Sequence, residues 1–144
     1  MKRPDMAFHP VDGPWVTGGY LTENFTKREL ECQHCHRLPD TEAFLAFIRK
    51  LQRARDIADV PFVVLSGYRC AFHNTRVGGA EDSSHLIAVA ADIECLDMAT
   101  REKIFRGAIQ AGFRRIGIGP RALHFDDDYR KPTAIWLYRD GREI

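Results

Sequence analysis

In the last quarter of the chain, Leu123-His124-Phe125-Asp126 alternates apolar and ionisable side chains. Side chains two apart on a strand share a face, so Leu123 and Phe125 are expected to enter a core while His124 and Asp126 project together. This commits the segment to a half-buried strand with a chemical face. Pro61 opens a second punctuated run, Phe62-Val63-Val64-Leu65, which stops at Ser66-Gly67 and reads as a short buried strand. Arg115 to Gly119, Ala134 to Tyr138 and the small apolar run Ile87 to Ile93 are further strand candidates.

Between these runs the period changes. Phe44, Leu45, Ile48 and Leu51, then Ala54 or Arg55, recur at helical spacing, predicting a helix over about 40–58 with Asp40 as its N-cap. Asp97 and Gly112 bracket a second helix over 98–111, with Ile104, Phe105, Ala108 and Ile109 as its apolar face. Thr26 with Glu29 three residues on forms a capping box at the start of a short helical piece. Residues 1–24 carry turn signals, and 70–84, with Asn74, Gly78-Gly79 and Ser83-Ser84, read as a long loop. Helices and strands are segregated, which predicts an α+β fold with a mainly antiparallel sheet and flanking helices. A chain of 144 residues holds one such domain, spanning 1–144.

Charge narrows the range of partners. Lys and Arg number 21 against 20 Asp and Glu, for a net charge of +1, so no basic face for nucleic acid is expected. No apolar stretch approaches the roughly 20 residues of a membrane-spanning helix. The charged start, Met1-Lys2-Arg3-Pro4-Asp5, is not followed by an apolar region, so synthesis in the cytoplasm without a signal peptide is expected.

The chemistry concentrates in two places. His85 and Asp92 lie seven apart, separated by small and apolar residues. Such a pair also arises in a capped turn or a surface ion pair. If both face one cleft, however, imidazole nitrogen and carboxylate oxygen suit Zn²⁺, and His124 supplies a third ligand. Asp126 is then the carboxylate expected to handle the proton of a water in the open fourth position. Cys32-x-x-Cys35, with His34 and His36, is part of a second metal set, which Cys70 and Cys95 complete only if folding brings them close. A pair of packed thiols or a disulfide is the alternative.

Four blocks in order resemble the zinc peptidases of the M15 type, the D-alanyl-D-alanine carboxypeptidase and phage endolysin group. They are Asn24-Phe25 through Cys35, Ser66-Gly67-Tyr68-Arg69-Cys70, Val77-Gly78-Gly79-Ala80 through Asp92, and Arg115-Ile116-Gly117-Ile118-Gly119 leading to His124-Phe125-Asp126. Together they span about residues 24–126. The resemblance implies the fold shared with the hedgehog signalling domain, Zn²⁺ held by His85, Asp92 and His124, and a peptidoglycan peptide as substrate. It places Arg69 at the cleft as a catalytic or substrate-holding guanidinium, the alternative being a structural ion pair to Asp92 or Glu94. Ser84 either contacts substrate or orients the His85 loop as a turn residue, and Tyr68 and Trp136 either line the cleft or belong to the core. The small size and the missing export signal lean towards a phage lysis enzyme, expected to be a monomer that reaches the cell wall with release by a holin as one route. Two positions depart from the pattern. Ala88 stands where glycine is frequent. Arg121 stands where several relatives carry the catalytic acid, which shifts that expectation to Asp126, with Asp127 and Asp128 behind it. A non-catalytic, zinc-stabilised wall-binding or assembly module on the same fold is the competing expectation.

Overall fold

A computed structural model describes residues 19–139 and 142–143. The turn-rich stretch through Gly18 lies outside the described residues. Thr26 caps α1 (Lys27–Leu30) through the expected reciprocal bonds with Glu29. The long helix α2 (Glu42–Ala58) starts one residue later than its sequence suggests, because Thr41 rather than Asp40 accepts the Phe44 N–H. Helix α4 (Met98–Ala111) has the predicted bounds, with Asp97 at its N-cap and Gly112 in the left-handed conformation at its end.

Six strands follow in chain order: β1 (Val64–Ser66), β2 (Ala90–Glu94), β3 (Arg115–Ile118), β4 (Ala122–Asp126), β5 (Ala134–Arg139) and β6 (Arg142–Glu143). They form one sheet in the order β1-β2-β4-β3-β5-β6, with all pairs antiparallel except β3 with β5. This is the expected α+β architecture. The two long helices pack together, and Gly107 of α4 makes the approach possible: a Cβ there would stand 2.6 Å from the Ala54 carbonyl oxygen. Phe44, Phe47, Ile48 and Leu51 of α2 join Ile93, Ile104, Ile116, Leu123 and Phe125 in one core. No described helix is long and apolar enough to cross a membrane.

Three local expectations change. The Phe62 to Leu65 run is not a buried strand: β1 lies at the sheet edge, Phe62 enters the core, and Val63 and Leu65 are exposed. Ile109 likewise sits on the wet side of α4, 44% exposed. The supposed loop over 70–84 contains a helix, α3 (Ala71–Arg76), capped by the Cys70 sulfur. Asn74, buried on α3, donates to the Ala80 carbonyl and closes the Gly78-Gly79 turn against the helix. The chain then makes a 3-10 turn (Ser84–Ile87) and reaches β2 through Ala88 at φ 60°. Ala88 therefore holds a left-handed conformation that glycine adopts without strain.

Candidate metal centre

Antiparallel pairing of β2 with β4 sets Asp92 directly opposite His124. Leu123 and Phe125 are fully buried below, so the alternation read from the sequence delivers His124 and Asp126 to the same face. The turn before β2 brings His85 beside them, its backbone N–H held by the Ser83 hydroxyl. The ligand atoms of His85, Asp92 and His124 all lie within 4.8 Å of one another. The His85 and His124 ring centroids are 5.2 Å apart.

The hydrogen bonds decide which nitrogens face inward. His85 Nδ1 lies 2.6 Å from the Gly67 carbonyl, which can only accept, so Nδ1 carries the proton and Nε2 keeps its lone pair. That Nε2 is 3.3 Å from Asp92 Oδ1. Burial, only partly opposed by Asp92, lowers the pKa of His85 and keeps the ring neutral, the form that ligates a metal. His124 Nδ1 is 2.9 Å from the same Asp92 oxygen, and its Nε2 is 2.7 Å from Asp126 Oδ2. Burial would lower His124, but without a metal the bonds to Asp126 and Asp92 outweigh it and hold the pKa at about 9, so a metal has to displace the Nδ1 proton to bind. Burial likewise opposes ionisation of Asp92, yet the two imidazoles hold its carboxyl well below the usual range.

Two imidazole nitrogens and a carboxylate oxygen converging on one point fit a zinc ion. Each imidazole has an outer partner, the Gly67 carbonyl for His85 and the Asp126 carboxylate for His124, as metal-bound histidines require. His124 Nδ1 is then the inward nitrogen.

This geometry changes the reading of Asp126. Expected to face a water, it lies on the far side of the His124 ring from Asp92. Its other oxygen accepts from Arg115 Nε at 2.7 Å and from the Asp128 N–H at 2.9 Å. It is 1% exposed. Asp127 points away and pairs with Lys50 at 2.9 Å. Asp128 binds Arg130 and accepts from the Ser84 hydroxyl at 2.7 Å. Ser84 lies at the cleft wall but is buried and commits its hydroxyl to Asp128, which favours the loop-orienting role over a substrate contact and fastens the turn that carries His85.

The three donors open on a cleft of about 1030 Å³. Arg69 lines it, donating through Nη2 to Ser83 at 3.1 Å, while its buried Nε has no partner. Trp136 also lines the cleft, with its ring 5.5 Å from that of His124 and its indole N–H buried and unpaired. This orphaned donor is visible only in the fold. Gly117 makes room for that ring, since a Cβ there would stand 2.6 Å from Trp136 Nε1. Tyr68 is not among the cleft residues: it packs on the core with Cys32, Cys35 and Cys70 around it. Cys95, the other cysteine considered for a second metal set, is buried elsewhere, with its thiol on the Ile93 carbonyl.

A comparison with curated proteins finds no match. A family model described as Peptidase M15 matches residues 22–126, a span that holds every donor of the centre and most of the chain, and the protein belongs to this family of zinc-dependent peptidases.

Proposed function

We propose that the protein hydrolyses peptidoglycan stem peptides, as a D-Ala-D-Ala carboxypeptidase or a stem-peptide endopeptidase, in phage lysis or cell-wall remodelling. The observation that carries this reading is the His85, Asp92 and His124 group set in a cleft beside an arginine with an unused buried donor. His85, Asp92 and His124 would hold the zinc, which when bound would supply Lewis acidity and a more acidic water. Arg69 Nε and Trp136 Nε1 are two unused donors on residues that line the cleft, and a guanidinium suits a peptide carboxylate. Asp126 acts through His124: it holds Nε2 and so presents Nδ1 inward. The enzyme is made in the cytoplasm, works as a monomer and reaches the wall after release, by a holin in a phage setting.

The test is digestion of purified sacculi, with mass spectrometry of the released fragments. New amino groups at one peptide bond are expected, lost in His85→Ala and reduced in Arg69→Ala through weaker substrate binding. Cleavage by His85→Ala at the wild-type rate would refute the reading. A second reading has its own support. Arg121 occupies the position where several relatives carry the catalytic acid, and Asp126 is held in an ion pair with Arg115. A protein that binds zinc and sacculi yet releases no fragment is a non-catalytic wall-binding module.

A further inference from the structure

Away from the cleft, three sulfurs gather. Cys32, Cys35 and Cys70 bring their Sγ atoms within 4.8 Å of one another, and all three are free thiols. Two separate segments build the group. The first is a tight loop after α1. Cys32 N–H donates to the Arg37 carbonyl and His36 N–H to the Cys32 carbonyl, both at 2.9 Å. His36, directly after Cys35, takes a left-handed φ of 59° to close it. The second segment leads from β1 to Cys70, and Tyr68 N–H ties it to the Leu30 carbonyl at 2.8 Å.

Backbone amides surround the sulfurs. Cys70 N–H donates to Cys32 Sγ and His73 N–H to Cys70 Sγ, each at 3.4 Å. The N–H groups of His34 and Cys35 also face Cys32 Sγ, and that of Arg37 faces Cys35 Sγ. Burial opposes ionisation of Cys32, but these amides outweigh it and bring its pKa down to about 7. Burial and the neighbouring sulfur push Cys35 up. A neutral thiol is a weak acceptor and gains little from several amides, whereas a thiolate gains much. Three adjacent thiolates repel one another unless a cation lies between them.

We propose that Cys32, Cys35 and Cys70 form a second, structural site for a thiophilic divalent cation such as Zn²⁺, with His73 as its fourth ligand. Cys32-x-x-Cys35 and Cys70-x-x-His73 have matching spacings, and together they make a Cys₃His set. His73 lies on α3 three residues after Cys70, and its N–H already donates to the Cys70 sulfur at 3.4 Å. Its ring has to turn toward the sulfurs, which form a group without it. The site does not depend on the peptidase reading. It does brace the cleft: Cys70 adjoins Arg69, and Gly67, in the same segment, holds His85.

Cobalt titration of the reduced, full-length protein tests this. Sulfur-to-cobalt charge-transfer absorption is expected in the wild type, undiminished in His85→Ala and lost in Cys35→Ser. His73→Ala is expected to keep the absorption but weaken cobalt binding. Zinc is also expected to shield three thiols of the wild type from alkylation, with a chelator restoring their reactivity, a readout that needs no variant to fold. Cobalt binding without charge-transfer absorption, or alkylation unchanged by zinc, would overturn the proposal. So would a disulfide between two of these cysteines in protein purified without reductant.

Discussion

The two donor groups of this molecule are built in opposite ways. His85, Asp92 and His124 are borderline nitrogen and oxygen donors fixed by sheet register and opening on a cleft. Cys32, Cys35 and Cys70 are sulfur donors fixed by a tight loop and a chain crossing. The first group is oriented by side-chain and carbonyl partners behind each imidazole, the second by backbone amides aimed at sulfur. The contrast separates a site that leaves a coordination position for chemistry from one that fills its positions to hold the fold. The Ser66 to Cys70 segment contributes to both, the Gly67 carbonyl to His85 and the Cys70 sulfur to the thiols.

The sharpest way to break this contrast is to delete a cleft ligand. His124→Ala is expected to bring sacculus cleavage to background and remove about one zinc per chain, while the thiol cobalt spectrum stays intact. Loss of both metals together would merge the two sites into one folding unit. A smaller change separates ligand from outer partner: Asp126→Asn is expected to weaken zinc in the cleft by about 10–100-fold, read by chelator competition. Undiminished zinc affinity with a collapsed turnover rate would instead return Asp126 to the proton-handling role.

The third prediction concerns acid. Bonds to Arg130 outweigh burial and, with Ser84, hold Asp128 well below the ordinary carboxylate range. A carboxyl depressed in the folded state stabilises the fold above its unfolded pKa of about 3.9, and that contribution is lost as pH falls toward the folded value. Urea unfolding of Asp128→Asn is therefore expected to show a shallower loss of stability below about pH 4 than the wild type. Equal slopes would remove Asp128 from the set that fastens the His85 turn. The smallest effect is at Ala88. Replacing it with glycine relieves the left-handed alanine and is expected to add about 0.5–1 kcal/mol of stability without altering zinc binding, measured by denaturant titration.

How far the sequence led depended on whether a signal was local. Helix α4 was readable to its ends because Asp97 and Gly112 mark both of them within one turn. Helix α2 slipped by a residue because Asp40 and Thr41 are adjacent and either can cap. Helix α3 was hidden because its cap is a cysteine sulfur and its surroundings are rich in turn residues. An apolar run cannot announce whether its strand will be central or at an edge, so Val63 and Leu65 were misplaced. Spacing and strand alternation raise His85, Asp92 and His124 as one group among the ion pairs the same spacing allows, and the family resemblance singles it out; the fold brings their donor atoms together. The partners of Asp126 did not: Arg115 meets it through the β3–β4 register, and the His124 ring stands between it and Asp92. Tyr68 and Arg69 are adjacent yet part company, Arg69 lining the cleft and Tyr68 packing on the core beside the thiols, which the chain order alone does not reveal.

Anomalous scattering at the zinc edge, from crystals of the zinc-loaded protein, tests the central claim most directly. The account predicts a peak about 2.0–2.2 Å from His85 Nε2, an Asp92 oxygen and His124 Nδ1, with His124 Nε2 still bonded to Asp126. No peak at that point, or a peak reached through His124 Nε2 with Asp126 beside the metal, would contradict it.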